Sequence, residues 1–347
     1  MFPEKLLNER EAAVLRALVY EYIISGKPVG SRSFVQKYSF TISPATMRNI
    51  MADLEILGYL SQPHTSAGRI PTDKGYRFYV DYLLDKYNHS FSGEIEVRDD
   101  VVGRELQLEK VFFSITRMLS NMSHYAGVML TPKLDFTVVK RIELIPLDTS
   151  EVLVVLVTRT GMVINRKVTL SVGVTQDDLY EFSKFLTAEL SGYSLHDIKE
   201  KIFCQLRSLK LEGLNRELAL DIAQLALNVD EESELHVDGI ENLLKIPEMI
   251  EEERLKSLLN IIEEKNILRH ILEAEMPDEG IKTLIGSEIE EARVAGCSMV
   301  TSTYRIGNAN VGILGVLGPT RMDYEKVVPL VDYTGRAVST LLTNMSK

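Results

Sequence analysis

The chain has 347 residues, 45% of them hydrophobic and 26% charged, which is enough for two or three globular domains with ordinary cores. A formal charge of −11 excludes a chain that coats nucleic acid along its whole length. Two cysteines, Cys204 and Cys297, are too few for a disulfide framework.

The opening residues include Glu4 and Lys5 with no apolar stretch, and no apolar run approaches the roughly eighteen residues of a membrane span. The expectation is a soluble cytoplasmic protein with no export signal and no membrane partner. Charge is unevenly spread. Met1 to Tyr87 carries eleven Lys and Arg against nine Asp and Glu, so a mildly basic head precedes a strongly acidic body, whose repulsion would help orient an approach to DNA.

In chain order, a first helix is predicted from Asn8 to about Ser25, because Asn8 and Glu11 have capping-box spacing and Leu15, Leu18, Val19, Tyr22 and Ile23 make one apolar face. Lys27-Pro28-Val29-Gly30 forms a turn. Ser31 is the expected cap of a second helix, Arg32 to Tyr38, with Phe34, Val35 and Tyr38 inward. A third helix follows from Ser43, an N-cap residue with Pro44 at the first helical position. Met47, Ile50, Met51, Leu54 and Leu57 give its apolar stripe, and Gly58 is the expected C-cap. The opposite face carries Ala45, Thr46, Arg48, Asn49 and Ala52. Three helices with short links, the last exposing polar groups at its start, make a helix-turn-helix pattern.

Tyr59 to Ser61 and Arg69 to Pro71 read as two strands around the turn Gln62 to Gly68, a hairpin wing. Thr72 or Asp73 then caps a fourth helix expected to end at Asp85, with Tyr76, Tyr79, Val80 and Leu83 on one face. Residues 88–104 read as a linker. Beyond it come a helix from Glu105 to Ser123, a strand at Ala126 to Leu130, and a β meander at Phe136 to Leu147, Glu151 to Thr158 and Met162 to Leu170. Helices are expected at Thr175 to Leu190, Ser194 to Ser208 and Leu214 to Leu227, then a strand at His236 to Leu243 and a long helix at Glu248 to Glu275. Strands at Ile281 to Ile285, Cys297 to Ile306 and Val311 to Leu317 precede a last helix reaching Leu342. The fold class is α+β and multidomain.

Arg48 can donate two hydrogen bonds to guanine, and Asn49 matches the paired donor and acceptor of adenine. The competing reading for Arg48 is a surface ion pair with Asp53 or Glu55. Ser43 and Thr46 suit phosphate oxygens at a helix N-terminus. In the wing, His64, Thr65, Ser66 and Arg69 are placed to reach a flanking phosphate or the minor groove, against the plainer reading of a polar turn. Lys27, Arg32, Lys74 and Arg77 are secondary phosphate candidates, or simply solvated. One such helix sees too few base pairs to find an operator, so a twofold dimer reading two half-sites is expected.

Catalytic signals are thin. The six histidines are scattered, so no metal site and no cofactor is expected, and the chain is not read as an enzyme. Gly312 to Gly318 alternates with apolar residues like a packed strand and lacks the Lys-Ser/Thr of a phosphate loop. Gly318-Pro319-Thr320-Arg321 reads as a turn into the last helix, with Arg321 tying that helix down.

The string S-P-A-T-M-R-N-I-M-A-D-L-E-I-L-G-Y-L from Ser43, the wing P-H-T-S-A-G-R-I-P-T-D-K-G-Y-R-F-Y-V-D-Y-L from Pro63, and G-P-T-R-M-D-Y from Gly318 together resemble the heat-inducible transcription repressor family HrcA over nearly the whole chain. The resemblance implies an N-terminal winged helix-turn-helix DNA-binding domain (1–87) and a GAF-like α/β domain (105–131 and 232–347). It places an inserted α+β dimerising domain (132–231) between the two segments of the GAF-like domain. It also implies a dimeric repressor of heat-shock and chaperonin operons on double-stranded operator DNA, an inverted repeat called CIRCE, dependent on the chaperonin GroEL. Two other readings stay open: a winged-helix regulator sensing a metabolite through the GAF-like domain, and an enzyme with a regulatory DNA-binding head.

Overall fold

The computed structural model describes residues 7–64, 67–90, 108–132, 137–148, 150–159, 161, 163–170, 173–202, 204–205, 214–227, 233–249, 265–276, 280–289, 296–307 and 309–346. Helix α1 (Glu9–Ser25) begins with the expected reciprocal cap: Asn8 Oδ1 accepts the Glu11 amide at 2.9 Å and Glu11 accepts the Asn8 amide at 3.0 Å. Helix α2 (Ser31–Tyr38) departs from expectation in one detail. Ser31 is its first helical residue, and Gly30, held extended after Val29, occupies the cap position without a side-chain bond.

Helix α3 (Pro44–Ile56) starts as predicted, with the Thr46 amide donating to Ser43 Oγ at 3.1 Å. Its Met47, Ile50, Met51 and Leu54 are buried against Leu15, Leu18 and Phe34 in one cluster. Strands β1 (Leu60–Ser61) and β2 (Ile70–Pro71) pair antiparallel. The Arg69 and Val29 amides each donate to the other's carbonyl at 2.9 Å, so the hairpin is stitched to the turn before α2.

Helix α4 (Asp73–Ser90) runs past the expected end at Asp85. The extension has a long-range cause: Tyr87, assigned above to the end of the head, donates its hydroxyl to Asp332 at 2.8 Å. Of the predicted linker, residues 91–104 lie outside the described residues.

The body follows. After α5 (Leu108–Ser123) and β3 (Ala126–Leu130) come β4 (Val139–Pro146), β5 (Glu151–Thr158) and β6 (Val163–Thr169). These three form an antiparallel sheet in the order β4-β5-β6. Helix α6 (Gln176–Leu190) starts on a Thr175–Asp178 capping box, and α7 spans Leu214–Leu227. Both pack on one face of that sheet, burying Val152, Val154, Leu156, Leu186, Leu220 and Ile222 in a cluster of their own. The helix expected from Ser194 is instead a single α-turn, Leu195–Asp197, passing into a wider winding over Ile198–Ile202. Residues 203 and 206–208 of that expectation lie outside the described residues.

Strand β7 (Leu235–Asp238) is shorter than predicted. Gly239 adopts φ +78°, a left-handed conformation that costs glycine nothing, and turns the chain into a helical turn at Ile240–Leu243. Helix α8 is described over Lys265–Glu275. Pro247–Met249 is a 3₁₀ turn, while residues 250–264 of the expected long helix, with Glu251 to Glu253, lie outside the described residues. Strands β8 (Ile281–Ile285), β9 (Cys297–Ile306) and β10 (Ala309–Pro319) and helix α9 (Tyr324–Ser346) complete the chain.

A second, all-antiparallel sheet has the order β7-β3-β10-β9-β8. It takes β3 from before the three-stranded sheet and the rest from after it. Gly312 to Gly318 lies in its buried central strand. No helix among the described residues is long and apolar enough to cross a membrane.

Head and body share one apolar cluster, from Leu15 and Met47 to Val300 and Tyr324. Polar contacts fix its edges. Tyr79 donates to Glu325 at 3.0 Å, the Ser287 amide donates to Asp73 at 2.8 Å, and Arg321 donates to the Ile23 carbonyl at 2.6 Å. Arg321 thus ties the start of the last helix to the negative end of α1.

Candidate nucleic-acid interface

The outer face of α3 is what the cap and the apolar stripe leave over. Thr46, Arg48 and Asn49 are exposed on it while Met47, Ile50 and Met51 turn inward. Neither Arg48 nor Asn49 has a hydrogen-bond or ion-pair partner among the described residues. The Glu55 alternative for Arg48 is removed by geometry, because Arg69 holds Glu55 at 2.8 Å. The Ser43 and Thr46 hydroxyls lie 2.9 Å apart, at the exposed first turn.

Beside this face stands the hairpin. Gln62 Nε2 donates to the Ala67 carbonyl at 2.9 Å and closes its turn. Gly68 allows the hairpin to lie against the turn before α2, since a Cβ there would sit 2.4 Å from the Val29 carbonyl group. His64 is exposed at the tip; Thr65 and Ser66 lie outside the described residues. Between α3 and the hairpin is a polar cavity of about 490 Å³, lined among others by Ser31, Arg48, Met51, Gln62 and Arg69. Lys27 and Arg32 are exposed on the turn and first residues of α2 beside it.

The fold thus brings Arg48 and Arg69 to one cavity and leaves Ser43, Thr46, Asn49, Lys27, Arg32 and His64 exposed on α3 and its cap, the turn before α2, α2 and the hairpin. It does not bring Arg77 there, and Lys74 is partly engaged. Lys74 Nζ donates to the Leu57 carbonyl at 3.4 Å and lies 4.6 Å from the Tyr59 ring centre. Arg77, read above as a phosphate candidate, points into the body: it donates to both Glu288 oxygens, to Asp81 at 3.3 Å and to the Thr283 carbonyl at 2.5 Å. Burial by itself raises the Glu288 carboxyl, but hydrogen bonds from Arg77 and the Ile285 amide outweigh that and hold its pKa below the ordinary carboxylate value.

A depressed folded pKa stabilises above the unfolded value and loses that effect as pH falls through the folded one. The Arg77 contact is therefore intact at neutral pH and weakens in acid. Arg77→Met is expected to lower stability by about 1–2 kcal/mol at pH 7, since the bonds are charged but one-third exposed. Thermal unfolding of both proteins at pH 7 and pH 4 checks this, the gap narrowing at pH 4.

Sequence reasoning named Glu55 only as a rival partner for Arg48; it missed the pairing of Glu55 with Arg69 and the Gln62 bond that closes the hairpin turn. Glu55 follows Arg48 by seven residues, two helical turns, and so shares its side of α3. That spacing was the available signal.

A helix with an exposed polar face and a hairpin at its flank, carried on a body of mixed helix and sheet, has the form of a DNA-binding regulator. Known proteins narrow the class. Residues 109–328 match the family described as HrcA protein C terminal domain. The heat-inducible transcription repressor HrcA of Geobacter sulfurreducens is 38% identical over 342 residues, covering 97% of this chain and 98% of that protein. The repressor of the same name from Pelotomaculum thermopropionicum is 37% identical over 337 residues, covering 97% of each. A crystal structure described as that of a hypothetical protein aligns with a TM-score of 0.65 and 26% identity, over 98% of this chain and all of that one. The chain belongs to the HrcA family of heat-inducible transcription repressors.

Proposed function

We propose that this chain represses heat-shock and chaperonin operons by binding, as a homodimer, an inverted-repeat operator of the CIRCE type, with its activity modulated by the GroEL chaperonin. The observation that carries the reading is the exposed, unpartnered pair Arg48 and Asn49 on α3, beside a hairpin wing. On this reading residues 1–87 are a winged helix-turn-helix. Residues 105–131 with 232–347 are a GAF-like domain, and 132–231 are the inserted dimerising domain.

The dimer has support of its own. The face of the three-stranded sheet away from α6 and α7 bears Leu153, Val155 and Val157, partly exposed, between exposed Ile145 and Val163. No helix covers that face among the described residues. Its rim holds both charge signs, Arg141 paired with Glu143 and Lys167 with Glu151 at 2.7 Å, which suits contact with a second copy of itself.

Chaperonin control draws support from topology. Leu130 pairs with Ile313 across the whole inserted segment, and such distant pairings form slowly and expose apolar surface meanwhile. The test is binding to the full inverted repeat, a single half-site and a scrambled duplex at several salt concentrations, with and without GroEL. Tight, salt-dependent preference for the full repeat, strengthened by GroEL, is the expected result. A second reading, metabolite control, is favoured by a cavity of about 270 Å³ lined by His270, Glu275, Leu284 and Glu288, because Glu288 also grips Arg77 of the head. A small molecule that raises the thermal midpoint and shifts operator affinity would select it.

A further inference from the structure

A carboxylate on a DNA-reading helix is an electrostatic liability, and α3 carries Glu55 within two turns of Arg48. The structure gives it another task. Glu55 receives Arg69 at 2.8 Å, with the two side chains only 33% and 18% exposed. Arg69 is itself held by two backbone bonds to Val29, so its side chain leaves a fixed point and forms the pair at reduced entropic cost. This contact and the apolar packing beneath it join the helix that reads bases to the hairpin that flanks them.

We infer that Glu55 and Arg69 form a clasp that sets the width of the cavity between α3 and the hairpin, so that Glu55 is a positioning residue for the DNA backbone strand seated there. The inference rests on the DNA-binding reading proposed above. Within the cavity, Arg48 keeps an unpaired guanidinium while Arg69 is occupied; Arg69 therefore acts through hairpin placement instead of serving as a free phosphate cation. Contacts to the backbone fix register and orientation, and a misplaced hairpin forfeits them only when α3 is fully seated in its groove. The clasp should thus affect the specific complex and spare the loose, charge-driven one.

The test uses the full-length chain, Glu55→Gln, and the swap of Glu55→Arg with Arg69→Glu, each measured on the inverted repeat and on scrambled duplex. Glu55→Gln is expected to lose operator affinity by about tenfold while scrambled duplex binds equally or more tightly, because a negative charge has been removed. The swap is expected to recover most of the loss. If Glu55→Gln binds the operator as well as or better than wild type, the carboxylate merely repels DNA and the inference falls. Equal losses on both duplexes, with a lowered thermal midpoint, also overturn it, since that is the mark of a damaged fold. A wild-type chain with no preference for the inverted repeat would instead overturn the parent reading, and the clasp with it.

Discussion

Arg48→Ala is expected to weaken binding to the inverted repeat by about 2–6 kcal/mol, since one bidentate base contact discriminates by roughly 1–3 kcal/mol and the dimer proposed above would lose two of them. Binding to scrambled duplex should fall far less, because there the guanidinium acts as one cation among several. The structure makes this variant clean. Arg48 is exposed and has no partner among the described residues, so truncation strands no buried group and leaves the α3 core of Met47, Ile50, Met51 and Leu54 untouched. Competition binding at fixed salt on both duplexes reads the two losses. Equal losses would assign Arg48 to phosphate contact.

Val155→Asp carries the second large effect. Val155 sits at the middle of β5, opposite Glu143 on one side and Asn165 on the other, on the uncovered face. Its buried neighbours on the strand, Val154 and Leu156, point the other way and keep the subdomain core. In the dimer proposed above, with this face as its interface, a carboxylate there is buried unpaired on each side. The expected result is a folded monomer by sedimentation. Operator affinity should fall by roughly 10²–10⁴, the avidity lost when two linked readers separate. A variant that stays dimeric would move the interface elsewhere.

Much of the local structure, in head and body alike, was legible because its causes are local. The Asn8–Glu11 and Thr175–Asp178 caps, the Ser43-Pro44 start and the three-and-four spacing of Met47 to Leu54 each lie within a few residues. The failures have the opposite character. Arg77 reads as a surface cation until Glu288, 211 residues away, meets it. The end of α4 reads as Asp85 until Asp332, 245 residues from Tyr87, anchors the next turn. Glu55 and Arg69 are closer in sequence, but only the hairpin's fold onto α3 brings them together. Local period predicts which face of an element is apolar, and says nothing about which distant charge will claim a side chain on the other face.

The way the head is fastened bears on the spacing of half-sites in the operator proposed above. Helix α4 is fastened near its start, where Arg77 meets Glu288, and near its end, where Tyr87 meets Asp332; the apolar cluster between is continuous with the body. Among the described residues, α3 thus stands on a bracket fastened to the body at both ends of α4. In the dimer proposed above, such a mount works as a gauge. Operators whose half-sites are moved apart by a few base pairs should be rejected steeply, because the protein can follow them only by breaking the bracket, whereas a flexible tether would follow them almost freely.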